Sequence, residues 1–440
     1  MNKTNPYKFD FKSVEDVKRK TAEANADIGF SENYGVLSRK VEVEPGFTLK
    51  NALAVHPMEA FDATTDGLCS PDELTIRRYK RFAQSGAGLI WFEAVAVQAD
   101  ALTSPRQLMI SEKNVDEYKK LIETIKTIAG SDTKIVIQLT HSGRFSKPPV
   151  IACHNDTLNT RMMLEPDYPC VSDDYLKRVE DTFENAAVLS AQAGFDGIDI
   201  KACHRYLFAE LLGAFNRKDS IYGGSYENRT RIFKNTIARV KDRLGSSASS
   251  PIVASRLGIS DVIPYPDGFA TTENCEVDLT ESLKLIGEIN ALGVNLINIT
   301  MGTPYYNLHI NRPYERNIGG LLSPSDPLVN LSNFIKHIAT VQKTFPNITC
   351  VGTGYSFLRK FAIDAAAYSV ENNLCKVVGF GRGAFAYEGF ARDMLDGFMD
   401  SAKCCLACSK CTEIMRAGGT TGCPIRDSEV YMPIYKHFVK

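Results

Sequence analysis

Gly194-Phe-Asp-Gly-Ile-Asp-Ile-Lys-Ala-Cys-His-Arg-Tyr-Leu207, continuing to Asn216-Arg-Lys-Asp-Ser-Ile-Tyr-Gly-Gly-Ser-Tyr-Glu-Asn-Arg229, is the stretch on which the fold turns. A short apolar run, Gly197–Ile200, leads into a long loop dense in Lys, His, Arg and Tyr. Seven other runs of the same kind occur: Leu53–Val55, Gly88–Phe92, Lys134–Leu139, Ile252–Ser255, Asn295–Ile299, Ile348–Val351 and Lys376–Gly379. Longer amphipathic stretches separate them, among them Pro71–Ser85, Asp116–Ala129, Asp174–Ala193 and Thr280–Leu292. Short buried strands alternating with helices make a parallel sheet. Eight such units predict one (β/α)8 TIM barrel rather than two doubly wound sheets. No GxGxxG follows any strand, so a dinucleotide-binding domain is not expected.

In a barrel the loops leaving the strands form the catalytic mouth. The long ones here are Thr140–Asp173, Ala202–Arg229 and Met301–Leu331, after the third, fourth and sixth strands. The organisation expected is an N-terminal arm over 1–44, a barrel over 45–395 and a short cysteine-rich extension over 396–440. The arm carries one helix near Val14–Ala24 and then an irregular approach to the barrel.

Bulk properties narrow the class. The 440 residues are 44% hydrophobic and 23% charged, with a net charge of −1 and interleaved signs. That excludes a polybasic nucleic-acid or membrane surface. The longest apolar stretch, Gly88–Val97, is too short for a bilayer and contains Glu93. The polar start MNKTNPYKFDFKSVEDVKRK is not a signal peptide, and the expected compartment is a reducing cytoplasm.

Five of the twelve cysteines crowd the last forty residues, four of them as Cys405-x2-Cys408-x2-Cys411-x11-Cys423 with Pro424 following. The spacing resembles that of a cubane [4Fe–4S] cluster more than the paired knuckles of zinc. Zinc and unmetallated thiols both remain open on spacing alone. Cys404 is a fifth thiol with no assigned role.

Together these residues resemble the Old Yellow Enzyme family of FMN-dependent oxidoreductases. The likeness is closest to its iron–sulfur branch, which contains 2,4-dienoyl-CoA reductase and trimethylamine dehydrogenase. The YGGSxENR loop is intact from Tyr222 to Arg229, and Gln138-Leu-Thr-His-Ser-Gly-Arg144 resembles the QLxHxGR stretch of strand 3. Pro57-Met58, Glu93-Ala94, Arg256, Gly352-Thr-Gly354 and Gly381-Arg382 match after strands 1, 2, 5, 7 and 8. The resemblance implies FMN held by Pro57, Met58, Glu59, Gln138, Arg256, Gly352, Gly354, Gly381 and Arg382. It implies a cluster on Cys405, Cys408, Cys411 and Cys423, and a catalytic group of Lys201, His204 and Tyr206.

Elementary chemistry supports those roles. Glycines and an arginine after the last two strands suit a phosphate, which needs close backbone N–H groups and a bidentate cation. An amide such as Gln138 can pair with the pyrimidine edge of a flavin, and Arg256 can balance the charge of its reduced form. Reduction of an activated alkene needs donors on the carbonyl oxygen and an acid for the α-carbon. Lys201 and His204 are the candidate clamp and Tyr206 the candidate acid. Two departures stand out. Lysine replaces the usual histidine at 201, which leaves the substrate class open. Glu59 occupies a position where relatives carry Thr, Cys or His, so it either faces the flavin carbonyl or turns into a salt bridge. Tyr305 and His309 are further candidate substrate contacts.

The function expected is reduction of an electron-poor C=C bond in a small unsaturated substrate (an enoate, enoyl-CoA or enone), by hydride from FMN N5 and a proton from Tyr206. Electrons enter through the cluster from a separate donor protein, because the chain stops soon after its cysteines; direct reduction by NAD(P)H is the other route. Self-association into a homo-oligomer is expected. One alternative is amine oxidation on the same scaffold, for which Tyr305, Tyr306 and Phe145 offer an aromatic cage. Another is a non-catalytic flavin barrel stapled by zinc.

Overall fold

The structure is a computed structural model and describes residues 6–247 and 249–439. Eight parallel strands close into a barrel: β1 (Leu53–Val55), β2 (Leu89–Ala96), β3 (Lys134–Thr140), β4 (Gly197–Ile200), β5 (Ile252–Gly258), β6 (Leu296–Thr300), β7 (Thr349–Gly352) and β8 (Val377–Phe380). Each pairs with its successor in the chain and β8 returns to β1, with Val378 opposite Leu53. The TIM-barrel expectation is borne out. The strands are mostly apolar on both faces because helices cover the outside and side chains fill the inside, with polar residues such as Gln138, Asp199 and Asn298 confined to their upper parts. Helices Glu73–Ala83, Val115–Ala129, Asp173–Gln192 and Thr280–Ala291 occupy the amphipathic stretches anticipated between strands.

Strands β2 and β5 run farther than their apolar runs suggest. β2 continues through Glu93 to Ala96, with a register irregularity between Trp91 and Ala94. Glu93 is buried there because Arg78 and Tyr79 of the covering helix donate to it. β5 carries Arg256 within the strand rather than at its end.

The barrel interior is layered. Its lower layer is apolar, built from Ala54, Leu89, Trp91, Val136, Leu296 and their neighbours, and is closed by Val43, Phe47 and Leu49. Those three belong to an antiparallel hairpin, Val41–Glu44 with Phe47–Leu49, that plugs the N-terminal end. This corrects the irregular approach expected before the barrel. Alternating apolar residues there bury one face of a short ribbon against the open floor. The N-terminal helix runs Val14–Glu23 behind a capping box of Ser13 and Asp16. Phe9 packs edge-on against Phe357, and the Asp27 N–H donates to Ser332 Oγ, so the arm lies along the β7–β8 side.

The C-terminal cysteine segment contains helices Lys410–Arg416 and Ser428–Phe438. It sits at the mouth: the Thr421 N–H donates to Ala60 O at 2.7 Å, and Arg416 to Pro304 O at 2.9 Å. Arg77 holds Asp427 bidentately at 2.7 and 2.8 Å. No helix among the described residues is long and apolar enough to cross a membrane.

Candidate active site

Above the apolar floor lies a buried polar layer, formed by strand residues whose alternation points them inward. Asp199 on β4 is its hub. Its Oδ2 accepts from Trp91 Nε1 at 2.8 Å and from Gln138 Nε2 at 2.7 Å, while its Oδ1 accepts the Arg256 N–H at 2.6 Å. Burial pushes the Asp199 carboxyl up to about 6 against those bonds. Across the barrel, Asn298 Nδ2 lies 3.0 Å from His56 Nδ1, and His56 Nε2 lies 3.2 Å from Gly352 O. Burial and the Arg256 charge push His56 down to about 3, so the imidazole is neutral. A Cβ on Gly379 would overlap the His56 ring, which explains the glycine in β8.

Gln138 and Arg256, both anticipated, therefore stand together in this layer. Arg256 Nη1 donates to Pro57 O at 3.4 Å, tying the strand to the Pro57–Met58 turn. Met58 packs over Gly381, whose Cβ would come 2.7 Å from its sulfur. Gly354 is left-handed (φ 98°) and leads the turn after β7.

Lys201, His204 and Tyr206 all lie at the mouth, with Lys201 over the Tyr206 ring and the His204 and Tyr206 ring centroids 6.5 Å apart. The chain leaves β4 through two residues with positive φ, His204 (64°) and Arg205 (60°). Arg205 is fixed by Asp261 at 2.9 Å, which over-determines this strained turn. Lys201 Nζ lies 3.4 Å from Glu59 Oε1 and 3.7 Å from the centroid of the Tyr206 ring. The Tyr206 hydroxyl lies 3.3 Å from Glu59 Oε2 and 3.1 Å from the Tyr305 hydroxyl. Burial, then Glu59 and Tyr305, raise the Tyr206 phenol well above its ordinary value, so it keeps its proton. Burial and the charges of Arg256 and Lys201 hold His204 far below its ordinary value, which leaves a neutral ring. Phe145 stacks on Tyr305 with centroids 3.5 Å apart. Glu59 thus forms its salt bridge inside the site, with Lys201. His309 lies half-buried on the short helix Leu308–Asn311, and the structure gives it no bond into this group.

Other motif residues are structural. Arg229 donates to Leu212 O and to Glu281, and packs on Phe215, so YGGSxENR anchors the β4 loop. Arg144 is buried against Glu210 at 2.7 Å, and His141 pairs with Tyr175. Asp199, His56, Asn298 and Arg312 were not singled out from the sequence. The only signal for Asp199 was an acid at an inward position of a four-residue apolar run.

Cys405, Cys408, Cys411 and Cys423 line one cavity with Arg382, Phe385, Leu406 and Pro424. Two sulfurs accept backbone N–H groups: Cys405 from Ala407 and Cys423 from Arg426, both at 3.4 Å. Among the described residues no three His, Cys, Asp or Glu side chains are close enough to hold a single metal ion. Arg382 is buried beside the cysteines and gives Nη2 to Pro313 O at 2.6 Å. Burial and Arg382 push Arg312 down to about 10. Cys404 is buried and donates to Asp400 O at 3.3 Å, which makes it a structural thiol.

A flavin fits this mouth. Arg256 Nε and Asn298 Oδ1 are buried without a protein partner, a donor and an acceptor that a heteroaromatic ring with polar edges would satisfy.

The sequence matches the model of the NADH:flavin oxidoreductase / NADH oxidase family over residues 41–358. An NADPH dehydrogenase of Halalkalibacterium halodurans is 32% identical over 203 residues, 45% of this chain. The match spans 58% of that relative's length. A solved 2-naphthoyl-CoA reductase in complex with 2-naphthoyl-CoA superposes with a TM-score of 0.71 at 16% identity, covering 92% of this chain and 58% of that one. A histamine dehydrogenase from Rhizobium sp. 4-9 gives 0.67 at 18% identity, covering 90% and 53%. At those identities the two structures establish the shared fold. The family match spans nearly the whole barrel, from the hairpin plug to beyond β7, and with it the motifs of strands 3 and 4. The chain belongs to the NADH:flavin oxidoreductase / NADH oxidase family.

Proposed function

We propose that the protein is an FMN-dependent ene-reductase that reduces a C=C bond conjugated to a carbonyl, with a [4Fe–4S] cluster as its electron entry port. The observation that carries this reading is the grouping of a protonated Tyr206, a neutral His204 and the Lys201 ammonium at one barrel mouth. Gln138, Arg256, Pro57 and Met58 would hold the ring of FMN, and Gly352, Gly354, Gly381 and Arg382 its phosphate. FMN bound there and already reduced would supply the hydride that the β-carbon of the alkene accepts.

The chain's own residues do the rest. Lys201 Nζ and the Nε2–H tautomer of His204 donate to the substrate carbonyl oxygen, and both bonds strengthen as enolate charge builds there. Tyr206 gives its phenolic proton to the α-carbon. The phenolate left behind is strongly basic in this buried place and takes a proton back readily. The stacked Phe145 and Tyr305 rings shield the group from bulk water.

The cysteine cavity supports the cluster in three ways. It gathers all four thiols, its N–H···S bonds are of the kind that tune cluster potentials, and it lies among buried arginines. Arg312 Nη2 is buried without a partner and Arg312 feels Cys411, which suits an anionic group such as a cluster on four thiolates. NAD(P)H is the proposed electron source, directly or through a donor protein that docks near the cluster. Amine oxidation is disfavoured because the Lys201 ammonium already covers the Tyr206 ring face that a substrate cation would use.

Stopped-flow mixing of the reduced holoenzyme with an enone tests the acid. Tyr206→Phe should slow flavin reoxidation by about 10²–10⁴-fold. Reoxidation at the parental rate would remove Tyr206 from the mechanism.

A further inference from the structure

Lys201 and Glu59 lie against each other at the barrel mouth. Their side chains are 2% and 18% exposed, and Nζ is 3.4 Å from Oε1. The same Glu59 carboxylate lies within 3.3 Å of the Tyr206 hydroxyl, so it is part of the substrate site rather than a surface partner. We propose that this ion pair makes the site select acceptors whose activating carbonyl is uncharged — thioester, ketone, ester or amide — over free carboxylates. The proposal rests on the ene-reductase reading and narrows its substrate class.

The physical grounds are as follows. A lysine at a carbonyl clamp would by itself attract a carboxylate. Here that attraction is already met by Glu59, and a substrate carboxylate bonded to Lys201 would be forced beside Glu59 in a poorly solvated place. Like charges at such separations repel strongly when water is excluded. A neutral carbonyl oxygen meets no such repulsion. It needs one N–H of the ammonium and leaves the others for Glu59. Cations are refused on different grounds, because the Lys201 ammonium itself sits on the Tyr206 ring face at 3.7 Å. The neighbouring charges do not undo this balance. His204 is neutral, and the Arg256 cation is offset by two carboxylates, Asp199, which also accepts its backbone N–H, and Glu59 itself. Arg416, 5.6 Å from the Tyr305 ring centroid, has its Nη2 engaged by Pro304 O.

Cinnamamide and cinnamate share one skeleton and differ in charge. Their dissociation constants can be read from perturbation of the flavin absorption in the FMN-loaded protein, without turnover. The parental protein should bind cinnamamide at least about tenfold more tightly than cinnamate. Glu59→Gln should erase or invert that ratio by gaining affinity for cinnamate. Adding Lys201→Met to Glu59→Gln should abolish the gain. A parental protein that binds the two equally, or a Glu59→Gln variant with an unmoved ratio, overturns the proposal and leaves the flavoenzyme reading standing. The parental ratio decides even if a variant fails to fold. A protein that takes up no FMN overturns both.

Discussion

Asp199 shows how much one carboxylate can organise. It accepts from the Trp91 indole, the Gln138 amide and the Arg256 backbone, so it orients two of the residues assigned to the flavin. Its ordinary value of 3.8 is pushed up to about 6, chiefly by burial. The folded chain therefore holds a proton that the unfolded chain has released between those two values. The resulting stability is full below about pH 3.8 and is lost as pH rises to about 6, about 3 kcal/mol over the window. Asp199→Asn has no such proton. Urea unfolding of both proteins between pH 4 and 7 should show the parental advantage shrinking up to pH 6 and then levelling. A gap that stays constant with pH would contradict the assignment. Single residues were also where sequence was least informative. Lys201, His204 and Tyr206 could be named because their order and spacing lie on one loop. The Lys201–Glu59 pair could not, because it joins the exit of β4 to the exit of β1 across the barrel mouth.

Motifs become legible as elements once their bonds are known. QLxHxGR and YGGSxENR look like one functional signature, yet only Gln138 reaches the polar layer. Arg144 and Arg229 spend their guanidinium groups on Glu210, Leu212 O and Glu281, holding the β3 and β4 loops in place. A buried arginine fastened by carboxylate and carbonyl looks the same in sequence as one that binds phosphate. The cysteine segment is the converse case, since its spacing alone proposed a metal group and the fold brings its four thiols round one cavity. Cys408→Ser should lower the iron content of the purified protein and remove the broad visible absorption of a cluster, while FMN is retained. Unchanged iron, or zinc in its place, would refute the cluster. The segment also touches Ala60 and Pro304, so it borders the loops that carry Glu59 and Tyr305.

The whole molecule is a barrel whose layout was readable from eight apolar runs, because a doubly covered strand is mostly apolar. Strand ends were less readable. β2 continues through Glu93, where the compensating Arg78 comes from the covering helix. The hairpin plug was missed because two short strands with one buried face resemble loop in sequence. The docking of arm and tail on the barrel depends on single bonds between distant residues, such as Asp27 with Ser332 and Arg77 with Asp427, and no local pattern announces those. The proposal that joins these parts is that a flavin at the mouth of this barrel passes electrons to an activated alkene. The direct measurement is anaerobic photoreduction of the holoprotein, then addition of enones, enoyl thioesters, enoates and amines while the flavin absorption is followed. The account predicts rapid reoxidation by enones or enoyl thioesters and none by amines. A photoreduced flavin that no alkene reoxidises, together with an oxidised flavin bleached by amines, would contradict it.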